Sequence, residues 1–263
     1  MIRRLSLSTL FLVLAALTLL SLLDGCSPSV DAAWSRVRAT GTLCVGMDAS
    51  FPPFESIGSD GSPQGLDVDL AREISSRLEL EPQFVVNLPY DGLYDALTAD
   101  RVDIVISALV VNPSRTADYA YSRTYFNGGQ VLVARQGNRE SASLRDLEGH
   151  TVAVVLGTAG DRVGRGWERR ASDLSVIQYR TPAEALRAVG DGITDLALVD
   201  HVSALAEMGE GTFLTIVDNA VTEVPYACAV RADSSTLLKK VNRALLAMEA
   251  DGTMDQLIVK WLQ

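Results

Sequence analysis

The sequence predicts an α/β protein with two lobes, joined by two hinge strands and separated by a ligand cleft. Strand-like and helix-like segments alternate from Thr42 to Val111 and then restart, so each series implies a sheet covered by helices. The apolar segments QVLVAR and PYACAVR, near residues 130 and 225, are similar in composition and would cross between the lobes. We therefore predict a first lobe of residues 41–129 plus 225–263 and a second lobe of residues 130–224.

The first series has a βαβαβ order, which predicts a parallel sheet. Its strand segments are LCVGM, QFVVN and VDIVISALV. The helix GLDVDLAREISSRLEL places Val68, Ala71, Ile74 and Leu78 on one stripe, and DGLYDALTAD is a short helix. Ligands of open α/β sheets bind beyond the carboxyl ends of strands, so residues directly after strands are the site candidates.

The second series contains more strands, which are QVLVAR, TVAVVLG, SVIQYR, TDLALVD and FLTIVD. One of its helices begins with a capping box, because Thr181 precedes Pro182 and Glu184 follows three residues after the threonine. After the returning strand PYACAVR, an apolar stripe that includes Leu237 and Val241 predicts a helical tail.

The chain begins with a segment, residues 1–25, that is typical of a secretory signal peptide. Arg3 and Arg4 precede the apolar run from Leu5 to Leu23, and a small residue precedes Cys26. An uncleaved anchor and simple secretion are the alternatives to a cleaved lipoprotein signal. All three place the body of the protein outside the cytoplasm.

The sequence LLDGC resembles a bacterial lipoprotein box, in which the cysteine becomes the lipidated first residue. Leu23, Gly25 and Cys26 fit this pattern, whereas Asp24 is unusual there. The resemblance implies a lipid on Cys26 and membrane contact through that anchor. Residues 26–40 are then expected to form a tether between the lipid and the first strand.

The charge of the chain argues against a nucleic-acid partner. The formal net charge is −10, and removing residues 1–25 takes away Arg3, Arg4 and Asp24, which changes it to −11. A protein that binds the phosphate backbone needs a basic surface instead. The acidic balance does not by itself indicate a cationic ligand, since acidic surfaces also serve solubility.

The cysteines and histidines predict neither a metal site nor a cofactor. Cys44 and Cys228 lie in apolar strand-like segments, and His150 and His201 have no metal-ligand spacing to them. A disulfide between the two cysteines is compatible with an oxidising compartment. We favour two buried free thiols.

Five places directly after strands carry chemistry that suits a ligand. They are Asp48 with Phe51, Tyr90, Arg115, the glycine-rich helix start GTAGD, and Asp200. Each has a local explanation: the aromatic rings could pack their own loops, Arg115 could pair with Asp118, and Asp200 could cap the following helix. Their joint position at strand ends that face one cleft favours a binding site.

Nine segments resemble, in order and spacing, the family 3 bacterial solute-binding proteins of amino-acid ABC transporters. They are DASFPPFE, GLDVDLAREI, YDGLYDAL, VDIVISAL with its downstream arginine, FNGGQVLVAR, SLRDLEGHTVAVVLGT, DLALVD, VPYACAV and ADGTMDQLIVKWL, and the resemblance covers essentially all of residues 40–263. The resemblance implies a type II periplasmic-binding-protein fold. It also implies a monomer without catalytic activity that closes on an amino acid and docks on a membrane permease.

The resemblance assigns the walls of the site and the acid that contacts the ligand side chain. Phe51 and Tyr90 match the two aromatic residues that sandwich that side chain, and Phe54 matches a supporting ring. Asp48 matches an acid that contacts the side chain in several members.

The resemblance also assigns the groups that hold the ligand backbone. Arg115 matches the arginine that forks onto the α-carboxylate, a geometry that suits a planar guanidinium. The backbone N–H of Ala159, at a helix start, would bind the same carboxylate. Asp200 matches the acid that holds the α-ammonium, and the carbonyl of Ala108 would assist it.

The sequence departs from the family at Val110, where members commonly carry serine or threonine. Ala159 likewise stands where another threonine is frequent, and each lost hydroxyl bond is worth about 1 kcal/mol net. Val155 and Leu156 make the wall before the glycine turn apolar, and no lysine is available there for an acidic side chain. With Asp48 in the site, a polar or basic amino acid is the expected ligand.

Two other functions remain as alternatives on the same fold. The first is a periplasmic dehydratase, which would need a carboxylic acid at the glycine-turn helix, where Asp161 is the only candidate. The second is a sensor subunit that presents its ligand to a receptor kinase.

Overall fold

The computed structural model describes residues 31–137, 143, 146–209, 212–218 and 221–262. The predicted signal peptide and the predicted lipidation site at Cys26 lie outside these residues. The described chain folds into two five-stranded sheets and one small three-stranded sheet. This confirms the predicted α/β fold class.

The first sheet has the strand order β5-β1-β6-β13-β7. Its strands are β1 (Thr42–Gly46), β5 (Glu81–Val85), β6 (Ile104–Val105), β7 (Tyr119–Asn127) and β13 (Pro225–Arg231). β5, β1 and β6 are parallel, as predicted for the first series, whereas β13 pairs antiparallel with both β6 and β7. We call this sheet and its helices the first lobe.

The second sheet has the order β10-β9-β11-β8-β12 and defines the second lobe. Its strands are β8 (Gln130–Arg135), β9 (Thr151–Val155), β10 (Ser175–Tyr179), β11 (Leu196–Asp200) and β12 (Leu214–Asp218). β9 pairs in parallel with both β10 and β11, and β8 runs antiparallel to both β11 and β12.

Helices cover both sheets. Those of the first lobe are α1 (Ala32–Thr40), α2 (Leu66–Arg77), α3 (Leu93–Thr98), α7 (Ser235–Ala250) and α8 (Thr253–Leu262). Those of the second lobe are α4 (Ala159–Glu168), α5 (Pro182–Gly190) and α6 (His201–Glu207). The predicted capping box begins α5, where the Thr181 hydroxyl accepts from the Glu184 N–H at 3.2 Å and Glu184 accepts from the Arg180 N–H.

A helix stands where the sequence analysis predicts a tether, over Ala32–Thr40. Asp31 caps it by accepting from the Trp34 N–H at 2.8 Å, and its other oxygen accepts from the N–H groups of Thr236 and Leu237. One carboxylate therefore serves the N-termini of both α1 and α7, and Val37 is fully buried against the first lobe. The tether prediction is wrong for these nine residues.

The chain crosses between the sheets twice, between Asn127 and Gln130 and again between Asp218 and Pro225. The two crossings contact each other, because the Gln130 N–H donates to the Thr222 hydroxyl at 2.8 Å and the Val224 N–H donates to Asn127 Oδ1 at 2.9 Å. A Cβ atom on Gly129 would lie 1.8 Å from the Thr222 carbonyl oxygen, so this approach requires glycine.

The strand β7 is absent from the sequence analysis, and β6 is much shorter than the predicted VDIVISALV. The chain leaves β6 at Ile106 because Ala108 adopts a φ of 40°, in the left-handed region. The nine residues of β7 mix aromatic, small and charged side chains, and their pairing with β13 rather than their own pattern makes them a strand.

Cys44 and Cys228 are free, as the favoured interpretation predicts, but only Cys228 is buried and Cys44 is partly exposed. They lie on β1 and β13, and β6 separates these strands in the sheet. Burial raises the pKa of the Cys228 thiol to about 12. None of the helices in the described ranges has the length and apolar character of a membrane span.

Candidate ligand-binding site

A cavity of about 280 Å³ opens at the carboxyl ends of β1 and β6, in the first lobe. Its lining includes five of the residues selected from the sequence, which are Asp48, Phe51, Tyr90, Ala108 and Val110. It also includes four that sequence reasoning missed, which are Ser50, Glu55, Ser107 and Tyr226. The cavity thus combines aromatic walls with two carboxyl groups.

The stretch that carries Phe51 is a hairpin rather than a plain loop. β2 (Ser50–Phe51) pairs antiparallel with β3 (Glu55–Ile57), which pairs in turn with β4 (Pro63–Gln64). The two prolines occupy the turn between β2 and β3, and the Phe54 N–H donates to the Phe51 carbonyl at 3.0 Å. The hairpin fixes Phe51 at the cavity mouth, where its side chain is 45% exposed.

Asp48 links two walls of the cavity. Its carboxylate accepts from the Tyr90 N–H at 3.1 Å, and its own N–H donates to the Ser107 hydroxyl at 3.0 Å. Tyr90, which also lines the cavity, stays 44% exposed. The Val110 N–H donates to the Tyr90 hydroxyl at 3.4 Å, a long bond that leaves this N–H accessible to a better acceptor.

An aromatic cluster supports the hairpin wall and extends to the crossing between the lobes. Phe51 stacks on the buried Phe54 at 5.6 Å between centroids, and Phe54 makes edge contacts with Phe126 and Tyr226. Phe126 stacks on His201 at 4.8 Å, and His201 Nδ1 lies 2.8 Å from the Asn127 carbonyl oxygen. Burial lowers the pKa of His201, so this ring stacks as a neutral imidazole at pH 7.

Arg115 lies outside the cavity lining. It ends the short 3-10 helix Pro113–Arg115, is exposed, and places its guanidinium carbon 4.5 Å from the centroid of the Tyr94 ring. Burial and the neighbouring Tyr121 hydroxyl raise the pKa of Tyr94. Tyr90 raises this pKa further, whereas the charge of Arg115 lowers it. Arg115 is therefore close to the Tyr90 wall. Within the described residues it forms no ion pair with Asp118 or another carboxylate.

Ala159 and Asp200 lie on the second lobe, also outside the cavity lining. Asp200 Oδ1 accepts from the Ser203 N–H at 2.8 Å and so caps α6, as the local explanation predicts. Asp200 is also within electrostatic reach of Tyr226, which lines the cavity. Burial raises the pKa of Tyr226 most, and the charges of Tyr90, Asp67 and Asp200 raise it further. Ala159 is the first residue of α4, and the Thr158 side chain caps this helix.

Asp161 is held as an ionised structural group. Burial alone would raise its pKa, but hydrogen bonds from the Gly157 N–H, Arg165 and Gln178, at 2.8 to 3.0 Å, hold the pKa below its usual value. A carboxylate with three donors is a poor proton donor at neutral pH.

The fold and the cavity together define a two-lobed binding protein of type II. In this class the walls of the ligand site lie at strand ends, close to the two places where the chain crosses between the lobes. The profile of the family "Bacterial extracellular solute-binding proteins, family 3" matches residues 43–263. The chain belongs to this family, which confirms the resemblance found in the sequence and places the chain among extracytoplasmic proteins.

Proteins that are similar to this chain differ in the ligand or activity that their names give. The L-cystine-binding protein TcyJ of Escherichia coli K12 is 29% identical over 230 residues, covering 86% of this chain and 85% of that protein. The ABC transporter arginine-binding protein 1 of the same strain is 28% identical over 221 residues, covering 82% and 88%. The crystal structure of an ancestral cyclohexadienyl dehydratase matches with a TM-score of 0.75 at 25% identity, covering 91% of this chain and 98% of that one.

The aromatic cluster predicts opposite roles for two phenylalanines that are three residues apart. We expect Phe54→Ala to lower the free energy of unfolding by about 3–5 kcal/mol, because a fully buried ring is replaced by a cavity. Phe51→Ala should lower it by less than about 1 kcal/mol, because nearly half of that ring is exposed. Urea denaturation of the two variants without added ligand measures both values. Equal losses would contradict the division into a supporting ring and a wall.

Proposed function

We propose that this chain captures a basic amino acid outside the cytoplasm and delivers it to the membrane permease of an ABC transporter. The observation that carries this proposal is the chemistry of the first-lobe cavity. Asp48 and Glu55 supply two carboxyl groups, and within the described residues the lining contains no Lys, Arg or His. The flat faces of Phe51 and Tyr90 suit the aliphatic stem and cationic head of a long side chain.

Groups outside the cavity would hold the backbone of the same ligand. We propose that Arg115 turns from the Tyr94 ring onto the ligand α-carboxylate, joined by the N–H of Ala159 at the start of α4. Asp200 would accept from the α-ammonium together with the Ala108 carbonyl. Since Ala159 and Asp200 belong to the second lobe, they would complete the site only when the lobes close.

The two lobes would move as rigid bodies with the predicted boundaries, residues 41–129 plus 225–263 and residues 130–224. The paired crossings and the close approach of Gly129 to Thr222 make a short double hinge, which supports this motion. A closed form stabilised by ligand would be the form that the permease recognises. The protein would act as a monomer, held at the membrane by a lipid on Cys26.

Binding rather than catalysis is the role that the site supports. Asp161, the candidate acid for a dehydratase, lies on the inner side of α4 and already accepts hydrogen bonds from three donors. The curated relatives described above carry binding names, for L-cystine and for arginine.

A thermal-shift screen of the full chain tests the proposed ligand class. The twenty amino acids, ornithine and L-cystine are each added, and we expect arginine, lysine or ornithine to raise the melting temperature most. A ligand that binds only the folded state at 100 times its Kd stabilises it by about 2.7 kcal/mol. A flat screen would contradict the amino-acid role, and a response to L-cystine or acidic amino acids alone would contradict the basic class.

Arg115→Ala should weaken binding of the amino acid found in that screen by at least about 100-fold, because two charge-assisted hydrogen bonds are lost. The melting temperature without ligand should change little, since Arg115 is exposed, packs its guanidinium on the Tyr94 ring and forms no ion pair within the described residues. Isothermal titration calorimetry measures the affinity. Arg101→Ala is the matched control, because this exposed arginine precedes β6 at the opposite end of the sheet. Unchanged affinity in Arg115→Ala would contradict the carboxylate clamp.

A further inference from the structure

Glu55 lies at the floor of the cavity with one oxygen unsatisfied. Its side chain lines the cavity but is only 1% exposed. Oε1 accepts from the Ser107 hydroxyl at 2.8 Å, whereas Oε2 is buried and has no hydrogen-bond donor among the described residues. A buried carboxylate oxygen without a donor is costly, so either a proton or a ligand group must satisfy it.

A second buried carboxyl group lies next to Glu55. Asp67, on α2, accepts at Oδ2 from the Ala108 N–H and from the Tyr125 hydroxyl, while its Oδ1 has no donor in the described part of the chain. Burial, and for Glu55 also the charge of Asp67, raises the pKa of both groups above their usual values. One proton shared by the pair would satisfy both orphaned oxygens.

Among the residues that the structure describes, the groups that face Glu55 carry no positive charge. Asp67 faces it from α2, and Asp48 from the segment after β1, and Asp48 contributes to the raised pKa of Glu55. The neutral hydroxyls of Tyr125 on β7 and Tyr226 on β13 also interact with Glu55, and the Cys228 thiol interacts with Asp67. A cation that enters from the cavity would therefore be the first positive charge against this acid pair.

We propose that Glu55 determines the specificity of the cavity by exchanging its proton for the positive charge of the ligand. Without ligand, Glu55 carries a proton that it shares with Asp67. When a guanidinium or ammonium group reaches the cavity floor, Glu55 releases that proton to solvent and pairs with the cation. One positive charge replaces another, so the buried pair is never left with two uncompensated negative charges.

The exchange distinguishes cationic from neutral ligands through pH. Proton release on binding makes the affinity for a cation rise with pH, by up to about tenfold per pH unit when release is complete. A neutral side chain of similar shape leaves the proton in place, and its affinity stays independent of pH. This inference rests on the proposed function, because it requires a basic ligand.

Calorimetry with L-arginine tests the exchange on the full chain. Titrations at pH 7 in phosphate and in Tris, whose ionisation enthalpies differ, give the number of protons released per arginine bound. We expect a release that approaches one, and an affinity that increases between pH 6 and pH 8. Arginine binding without proton release overturns the proposal, and this wild-type measurement decides the point even where a variant fails to fold.

Two variants separate Glu55 from other titrating groups. Glu55→Gln should abolish proton release and weaken arginine binding at pH 8 by at least about tenfold, whereas the exposed Glu81→Gln control should behave as wild type. Proton release that persists in Glu55→Gln assigns the proton elsewhere and overturns the proposal.

The outcome is distinguishable from failure of the proposed function. A chain that binds no amino acid in the screen contradicts the receptor role itself. A chain that binds only neutral amino acids keeps that role, and the exchange at Glu55 is then wrong.

Discussion

The carboxylate of Asp67 connects three parts of the first lobe, and the geometry of the cavity depends on it. Asp67 lies at the start of α2, is fully buried, and accepts hydrogen bonds from the Ala108 N–H and from Tyr125 on β7. The bond to Ala108 holds a left-handed residue directly after Ser107, where the chain turns across the cavity beyond the end of β6. Ser107 then supports both Asp48 and Glu55, so the polar floor follows from one buried acid.

The apolar wall of the cavity is connected to the crossing between the lobes. The ring contacts run from Phe51 through Phe54 and Phe126 to His201, which belongs to the second lobe. Packed rings of this kind are stiff, since their dense contacts leave few alternative arrangements. The wall that would contact a ligand and the crossings that would bend are therefore parts of one packed unit. We infer that a ligand against Phe51 acts close to the hinge itself.

Much of this arrangement could be predicted from the sequence, because strands and their ends have local signatures. The apolar segments before Asp48 and Asp200 are continuous, and each ends at a polar residue. The two-lobed fold and several residues of the cavity wall could therefore be predicted. Other parts depend on partners far along the chain. α1 is capped by a carboxylate that also binds Thr236 and Leu237, and β7 becomes a strand through its pairing with β13. Glu55 and Tyr226 reach the cavity from a hairpin and from the returning strand, and neither directly follows a strand of the first series.

We propose that the carboxyl groups of the first-lobe cavity select a cationic side chain. Arginine and citrulline test it most directly, because their side chains have nearly the same shape and differ in the charge of the terminal group. Calorimetric titration of the full chain at pH 7.5 with each compound gives the comparison. We expect arginine to bind at least about tenfold more tightly than citrulline. Equal affinities, or tighter binding of citrulline, would contradict it.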